Sequence, residues 1–171
     1  MSFRIELLAK KHNKSGFHCG KKLLDNYIRF QASQDVKKKL AVCFVLVRED
    51  NQVIGYYTLS NNSINQKDIP ENYQKKIPPS YRDIPVTLLG RLAVDSSYSG
   101  RGFGEHLLLH ALENCLITAE KTIGSIAVIV DPIDQEAIAF YKKYGFILLP
   151  GSGKMFLPML TIKHLFNSHS K

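Results

Sequence analysis

A chain of 171 residues, 44% of them hydrophobic, carries enough apolar material for one domain with a sizeable core, and it holds no apolar run long enough to span a membrane. A formal charge of +8 favours polyanionic partners such as nucleic acid or an acidic protein, or else serves solubility alone. Three cysteines at unrelated spacings (Cys19, Cys43, Cys115) exclude a disulfide framework and a C-x-x-C metal site; the basic residues of MSFRIELLAKKHNKSG follow its short apolar segment, the reverse of a secretory signal, so a reducing cytoplasm is expected.

Phe3 to Leu8 reads as a short strand, and a basic polar loop ends in Ser15-Gly16-Phe17-His18-Cys19-Gly20. From Lys21 to about Ala32, the residues Leu23, Leu24, Tyr27, Ile28 and Ala32 recur at helical spacing. Lys37, Lys38 and Lys39 then stand directly before a strand, as a solvated charge cluster or a binding patch. LAVCFVLV (Leu40 to Val47) and VIGYYTL (Val53 to Leu59), joined by Glu49-Asp50-Asn51-Gln52, predict an antiparallel hairpin. Ser60 to Pro85 contains Pro70, Pro78, Pro79 and Pro85; it is expected to form a functional loop without a long regular element.

Thr87 to Val94 is an apolar strand, Asp95 to Ser99 a polar turn, and Gly100, Gly102 and Gly104 a glycine loop. A helix follows from about Arg101 to Ala119 along Leu108, Ala111, Leu112, Cys115 and Leu116. Ser125 to Val130 is the next buried strand, and Asp134 reads as the N-cap of a short helix, Glu136 to Lys143, that stops at Gly145. Phe146 to Leu149 and Met155 to Phe166 are expected as the last strands, with Asn167 to Lys171 as a frayed tail. The order is an antiparallel meander and then β-α-β-α-β, a mixed α/β single domain over residues 1–171 with one parallel crossover.

The glycine loop is the segment with the clearest chemistry. Closely spaced glycines leave backbone N–H groups with no Cβ in front of them, and the helix behind adds its unsatisfied first-turn donors and the positive end of its dipole. This predicts a phosphate cradle. A P-loop is excluded, since no Gly-x4-Gly-Lys-Ser/Thr string exists. A dinucleotide fingerprint would need glycine where Glu105 stands, although Asp131 could imitate its ribose-binding acid. A tight turn with no ligand stays open for a lone GxGxG.

Leu92-Ala93-Val94, Gly100-Arg101-Gly102-Phe103-Gly104 and Ala137-x-x-Phe140-Tyr141-x-x-x-Gly145-Phe146 together resemble the core of the GCN5-related N-acetyltransferases (GNAT). Phe17-His18-Cys19-Gly20, Gln31-Ala32-Ser33-Gln34-Asp35, Gly55-Tyr56-Tyr57-Thr58-Leu59 and Leu88-Leu89-Gly90-Arg91-Leu92-Ala93-Val94-Asp95 further resemble the toxin branch of that superfamily, whose members acetylate aminoacyl-tRNA. The resemblance implies a mostly antiparallel central sheet with a β-α-β acetyl-CoA-binding core flanked by helices. It implies acetyl-CoA as cosubstrate, with pyrophosphate donors from Ser99, Gly100, Arg101, Gly102, Phe103, Gly104 and Glu105. The pantetheine arm would lie along Leu92, Ala93 and Val94, near Phe140. Asp134 stands where many such enzymes have Asn, so a cofactor contact there competes with the N-cap. Implied partners are aminoacyl-tRNA, a ribbon-helix-helix antitoxin, operator DNA through the antitoxin complex, and a second copy in a homodimer. Neither motif nor resemblance asks for a metal.

Amine attack on a thioester needs a neutral amine, a polarised carbonyl and a proton for the departing thiolate. By resemblance Tyr141 is the general acid: a phenol of pKa ~10 is protonated at neutral pH and can donate to a thiolate whose conjugate acid is ~8.5. Without the family pattern, Tyr141 and Phe140 read as core aromatics and Tyr144 is an equal candidate. No general base is evident, since Glu105 is expected to be tied to the loop and the six histidines form no cluster. An α-amine titrating at about 7.7–8.0 needs a base less than a lysine side chain at ~10.4, which favours aminoacyl-tRNA over protein lysines. Lys37, Lys38, Lys39 and Arg91 are candidates for tRNA phosphates, Arg91 alternatively for a structural ion pair. Two other functions stay open: acetylation of a small amine or protein N-terminus, and a non-catalytic acyl-CoA-binding or regulatory module.

Overall fold

Apolar runs broken by a polar turn set the first layer. In the computed structural model, which describes residues 1–168, β1 (Phe3–Leu7), β2 (Val42–Arg48) and β3 (Val53–Asn65) follow one another antiparallel. β1 pairs with β2 from Phe3↔Arg48 to Leu7↔Phe44, and β2 with β3 from Val42↔Leu59 to Val47↔Val53, with an irregularity between Leu46 and Val47. The β2–β3 turn carries Asn51 at φ 65, a left-handed conformation that Asn tolerates better than most residues.

Between β1 and β2 the chain forms α1 (Lys22–Asn26), a π-helical turn (Tyr27–Gln31) and α2 (Ala32–Lys37). The helical segment therefore ends at Lys37 rather than Ala32. A π turn adds one residue and rotates the following face by about 100°. That keeps Tyr27, Ile28 and Ala32 buried, with Leu24 and Val36 packed beside them.

After β3 come a 3-10 turn (Gln66–Asp68), α3 (Glu71–Gln74), β4 (Asp83–Val94), a second 3-10 turn (Ser96–Tyr98), α4 (Phe103–Lys121), β5 (Ala127–Val130), α5 (Gln135–Lys143), β6 (Ile147–Leu148), β7 (Met155–Pro158) and α6 (Met159–Asn167). The strand order is β1-β2-β3-β4-β5-β7-β6, with β4 and β5 parallel as expected for the crossover through α4.

Two expectations are corrected. Ser60 to Pro85 has no long element of its own, as expected, but it is not simply a loop: β3 continues to Asn65, whose side chain caps the 3-10 turn by accepting from the Lys67 N–H (3.0 Å), α3 lies within it, and β4 already begins at Asp83. Pro85 is accommodated in β4 because it is exposed, and its carbonyl accepts from the Ile126 N–H (3.0 Å). Met155 to Phe166 is not one strand. Pro158 stays extended (φ −61, ψ 143) at the start of α6, which buries Met159 and Ile162 at helical spacing. Of the tail expected to fray, Asn167 closes α6 and residues 169–171 lie outside the described residues.

The chain divides into two compact units, Met1–Ser60 with Gly90–Ala111, and Asn61–Leu89 with the described residues from Leu112 onward. The first has a core of Phe17, Tyr27, Ile28, Val45, Tyr56 and Ala93; the second packs Ile64, Ile84, Val86, Ala127, Ile129 and Phe156. Among the described residues no helix is long and apolar enough to cross a membrane.

Gly55 in β3 is required by close approach: a Cβ there would lie 2.9 Å from Leu107 Cδ1 and 3.2 Å from the Ala93 carbonyl oxygen. Leu107 is fully buried and cannot move freely. Gly55→Ala is expected to destabilise the protein by about 1–3 kcal/mol through overpacking, seen as a thermal midpoint lower by several degrees. An unchanged midpoint would show that Leu107 gives way at no cost.

Candidate functional site

The end of β4 delivers the chain to Asp95, whose anchoring role local sequence did not reveal. Its N–H donates to the Ile54 carbonyl (2.8 Å), and its carboxylate accepts from the N–H groups of Ser97 (2.9 Å) and His18 (3.0 Å). Ser96 in turn donates to the His18 carbonyl (2.8 Å). The entrance to the glycine loop is thus fixed to β3 and to the segment before α1.

Gly100 (φ 74) and Gly102 (φ 81) are both left-handed, and a Cβ at either would meet nothing within 4 Å. Open space lies where a side chain would otherwise project. Gly104 belongs to the first turn of α4, whose first hydrogen bond runs from the His106 N–H to the Gly102 carbonyl (3.0 Å). The N–H groups of Gly100, Arg101, Gly102, Phe103, Gly104 and Glu105 find no acceptor among the described residues. Ser99, expected as a further donor, commits its N–H to the Ser96 carbonyl (3.3 Å). The remaining run of donors at the positive end of a 19-residue helix suits a diphosphate. Just upstream, Ala93 is buried, while Leu92 and Val94 are half-buried.

Three aromatic rings seat this loop. Phe3 packs edge-on against Phe103 (4.8 Å between centroids) and Tyr98 (6.1 Å). The Tyr98 hydroxyl accepts from Arg48 Nη1 (3.1 Å), and the Arg101 guanidinium lies 5.1 Å from the Tyr98 ring centroid. Phe3, Arg48 and Tyr98 were not legible as site neighbours, because the Phe3↔Arg48 strand pairing brings them together from distant positions. Glu105 corrects another expectation. Its carboxylate is exposed in the first turn of α4 and makes no hydrogen bond or ion pair among the described residues, so it is not tied to the loop.

In the second unit α5 starts as expected, with Asp134 Oδ1 accepting from the Ala137 N–H (2.8 Å). Tyr141 on α5 is 7% exposed, its ring flanked edge-on by Phe140 and Phe146, each at 5.2 Å. Its hydroxyl makes no hydrogen bond among the described residues, and burial pushes the phenol up from its ordinary value. Such a group is a proton donor and never a base near neutrality. Full transfer to a thiolate whose conjugate acid is ~8.5 is already uphill from an ordinary phenol at ~10, and burial makes it more so. Tyr141 is therefore suited to hydrogen-bond a developing thiolate and to release its proton only as another arrives. Tyr144 is half-buried, with Phe140 edge-on at 5.2 Å and Lys143 Nζ 5.5 Å from its ring.

Lys37, Lys38 and Lys39 are exposed at the end of α2 and pair with no carboxylate among the described residues. Arg91 makes no ion pair among the described residues: its guanidinium stacks 3.6 Å from the centroid of Tyr27, whose hydroxyl donates to Asp35 (3.0 Å). Asp131, the candidate ribose acid, is ion-paired with Lys154 (3.2 Å). His12, His18 and His110 contact Glu6, Asp25 and Tyr57 respectively, in three separate places. Burial raises the thiols of Cys43 and Cys115 to about 12 and that of Cys19 to about 11.

A family profile described as an acetyltransferase (GNAT) domain matches residues 39–148. A tRNA-acetylating toxin of Mycobacterium tuberculosis is 37% identical over 136 residues, spanning 80% of this chain and 79% of the relative. A tyrosine-to-phenylalanine mutant of KacT superposes with a TM-score of 0.91 at 31% identity, covering 97% of this chain and 100% of that one. AtaT complexed with acetyl-methionyl-tRNAfMet gives 0.89 at 31% identity, with coverage of 96% and 99%. A tyrosine-to-phenylalanine mutant of AtaT has also been solved with the C-terminus of the antitoxin AtaR and acetyl-CoA (TM-score 0.81, 28% identity, 96% and 98% coverage), and AtaT as an AtaT–AtaR complex bound to DNA (0.78, 29%, 95% and 99%).

Proposed function

The chain belongs to the GNAT acetyltransferase family, and from that premise we propose that it transfers an acetyl group from acetyl-CoA to the α-amino group of an aminoacyl-tRNA, blocking translation as a toxin. The N–H groups from Gly100 to Glu105, which have no acceptor among the described residues, carry the proposal, since they supply what a CoA diphosphate requires. Acetyl-CoA brings the activated acyl group. Leu92, Ala93 and Val94 would flank its pantetheine arm, and Phe140 would pack beside it. Asp134 keeps Oδ1 on its helix cap, which argues for a supporting rather than a direct role.

Acyl transfer ends with one proton fewer on nitrogen and one more on sulfur. Tyr141 would donate to the sulfur and be recharged by the proton leaving nitrogen, a relay that is downhill overall even though the phenol is a weak acid. No carboxylate base is needed when the attacking amine titrates at about 7.7–8.0 or below. Glu105→Gln is accordingly expected to keep kcat within about twofold of wild type, because an amine that is largely neutral asks for no base. Loss of turnover with acetyl-CoA binding intact would overturn the base-free scheme.

Lys37, Lys38, Lys39 and Arg91 would contribute to tRNA binding, the lysines as phosphate contacts and Arg91 from its stacked position on Tyr27. By likeness to AtaT, the protein would pair with an antitoxin, of the ribbon-helix-helix type, and reach operator DNA as that complex. A homodimer working in the bacterial cytoplasm completes the proposal. The deciding experiment is transfer of radiolabelled acetyl from acetyl-CoA to total aminoacylated tRNA beside deacylated tRNA. Label confined to charged tRNA is the expected result. No label in tRNA despite measurable acetyl-CoA binding would replace this substrate with a small amine or a protein N-terminus.

A further inference from the structure

Two arginines converge on one phenol at the rim of the glycine loop. Arg48 Nη1 donates to the Tyr98 hydroxyl (3.1 Å), while the Arg101 guanidinium lies over the face of the same ring, 5.1 Å from its centroid. The ring is held in place: Phe3 stands edge-on to it at 6.1 Å and Phe103 at 6.2 Å, and Phe3 is the direct cross-strand neighbour of Arg48. Tyr98 itself closes the 3-10 turn capped by Asp95.

The local charges are unequal. Arg48 has Asp50 as partner (2.7 Å) and Arg4 has Glu6 (3.4 Å), whereas Arg101 faces no carboxylate among the described residues. Bringing two like-charged guanidinium groups to one ring costs energy that a shared anion would offset. The diphosphate of CoA already has the N–H groups of residues 100–105. A guanidinium outside that row is free for a second anionic group, and CoA carries one more, the phosphomonoester on its ribose.

We propose that Arg101, seated on Tyr98 and backed by Arg48, holds the 3′-phosphate of CoA and makes the protein discriminate against donors lacking it. This rests on the glycine loop being the acetyl-CoA site. A planar guanidinium matches a phosphate dianion in bidentate fashion, and stacking on a fixed ring orients it before the ligand arrives. Arg48 adds charge and fixes Tyr98 through its hydroxyl.

Binding of CoA and of 3′-dephospho-CoA, titrated calorimetrically against the full chain, tests this without any acceptor substrate. Wild type should bind CoA about tenfold or more tightly than dephospho-CoA, as expected for a hydrogen-bonded charge pair. Arg101→Gln, an exposed position that should leave the fold intact, should bring the ratio to within about twofold of unity by weakening CoA alone; Arg101→Lys should restore part of it. Arg48→Gln should give an intermediate ratio. Equal binding of the two ligands by wild type, or an undiminished ratio in Arg101→Gln, would overturn the assignment while leaving the acetyl-CoA site standing. Failure to bind either ligand would remove both.

Discussion

Tyr141→Phe should lower acetyl transfer by about 10²–10⁴-fold, the range typical of a lost general acid, with little change in acetyl-CoA affinity or thermal midpoint. The asymmetry follows from the surroundings of the hydroxyl. It makes no hydrogen bond among the described residues, so its removal breaks no bond within the protein, and the ring keeps its contacts with Phe140 and Phe146. Burial raises the phenol and keeps it protonated across the working range, so its loss should reduce the rate without introducing a new titration near neutrality. Measured kcat, acetyl-CoA affinity and melting curves on the same preparation separate the possibilities. A fully active Tyr141→Phe protein would return Tyr141 to the core aromatics, whereas a mutant that melts much earlier would make its inactivity uninformative about chemistry.

The second large effect is expected at the glycine loop. Gly102 sits at φ 81, where a side chain costs about 1–2 kcal/mol, and a Cβ there would enter open space beside the free N–H groups. Gly102→Ala should weaken acetyl-CoA binding about tenfold, since the strain is relieved only by turning the N–H groups away from a common point. Gly102→Val should cost more, because a β-branched residue is least tolerant of that backbone. Isothermal titration of CoA against both variants is the check. A lower melting temperature with undiminished affinity would mean that the glycine serves the turn and not the ligand.

The site's local features were legible in the chain, and its long-range ones were not. Closely spaced glycines before a helical pattern, and Asp134 ahead of Ala137, are signals whose partners lie within a few residues. The π turn at Tyr27–Gln31 shifts the period midway, which is why the helix seemed to finish at Ala32. Met159–Phe166 has apolar residues dense enough to suit either a strand or a helix; Pro158 is what separates the two, since it fits the start of a helix better than the middle of a strand. Apart from Ile64, the Ser60–Asn65 extension of β3 is built from Ser and Asn, which have poor strand propensity, so no local pattern announces it. Arg91 on Tyr27, Arg48 on Tyr98 and the Asp95 anchor join positions far apart in sequence, so no local pattern announces them.

The burial of the thiols has a consequence for the protein's own survival. Each acetyl transfer would release CoA as a free thiol, which once oxidised can cap exposed cysteines by disulfide exchange. Exchange requires a protein thiolate. With Cys43 and Cys115 buried and raised to about 12, and the half-buried Cys19 to about 11, almost none exists near neutrality. An enzyme built this way can work on in an accumulating pool of its own by-product without being covalently disarmed by it.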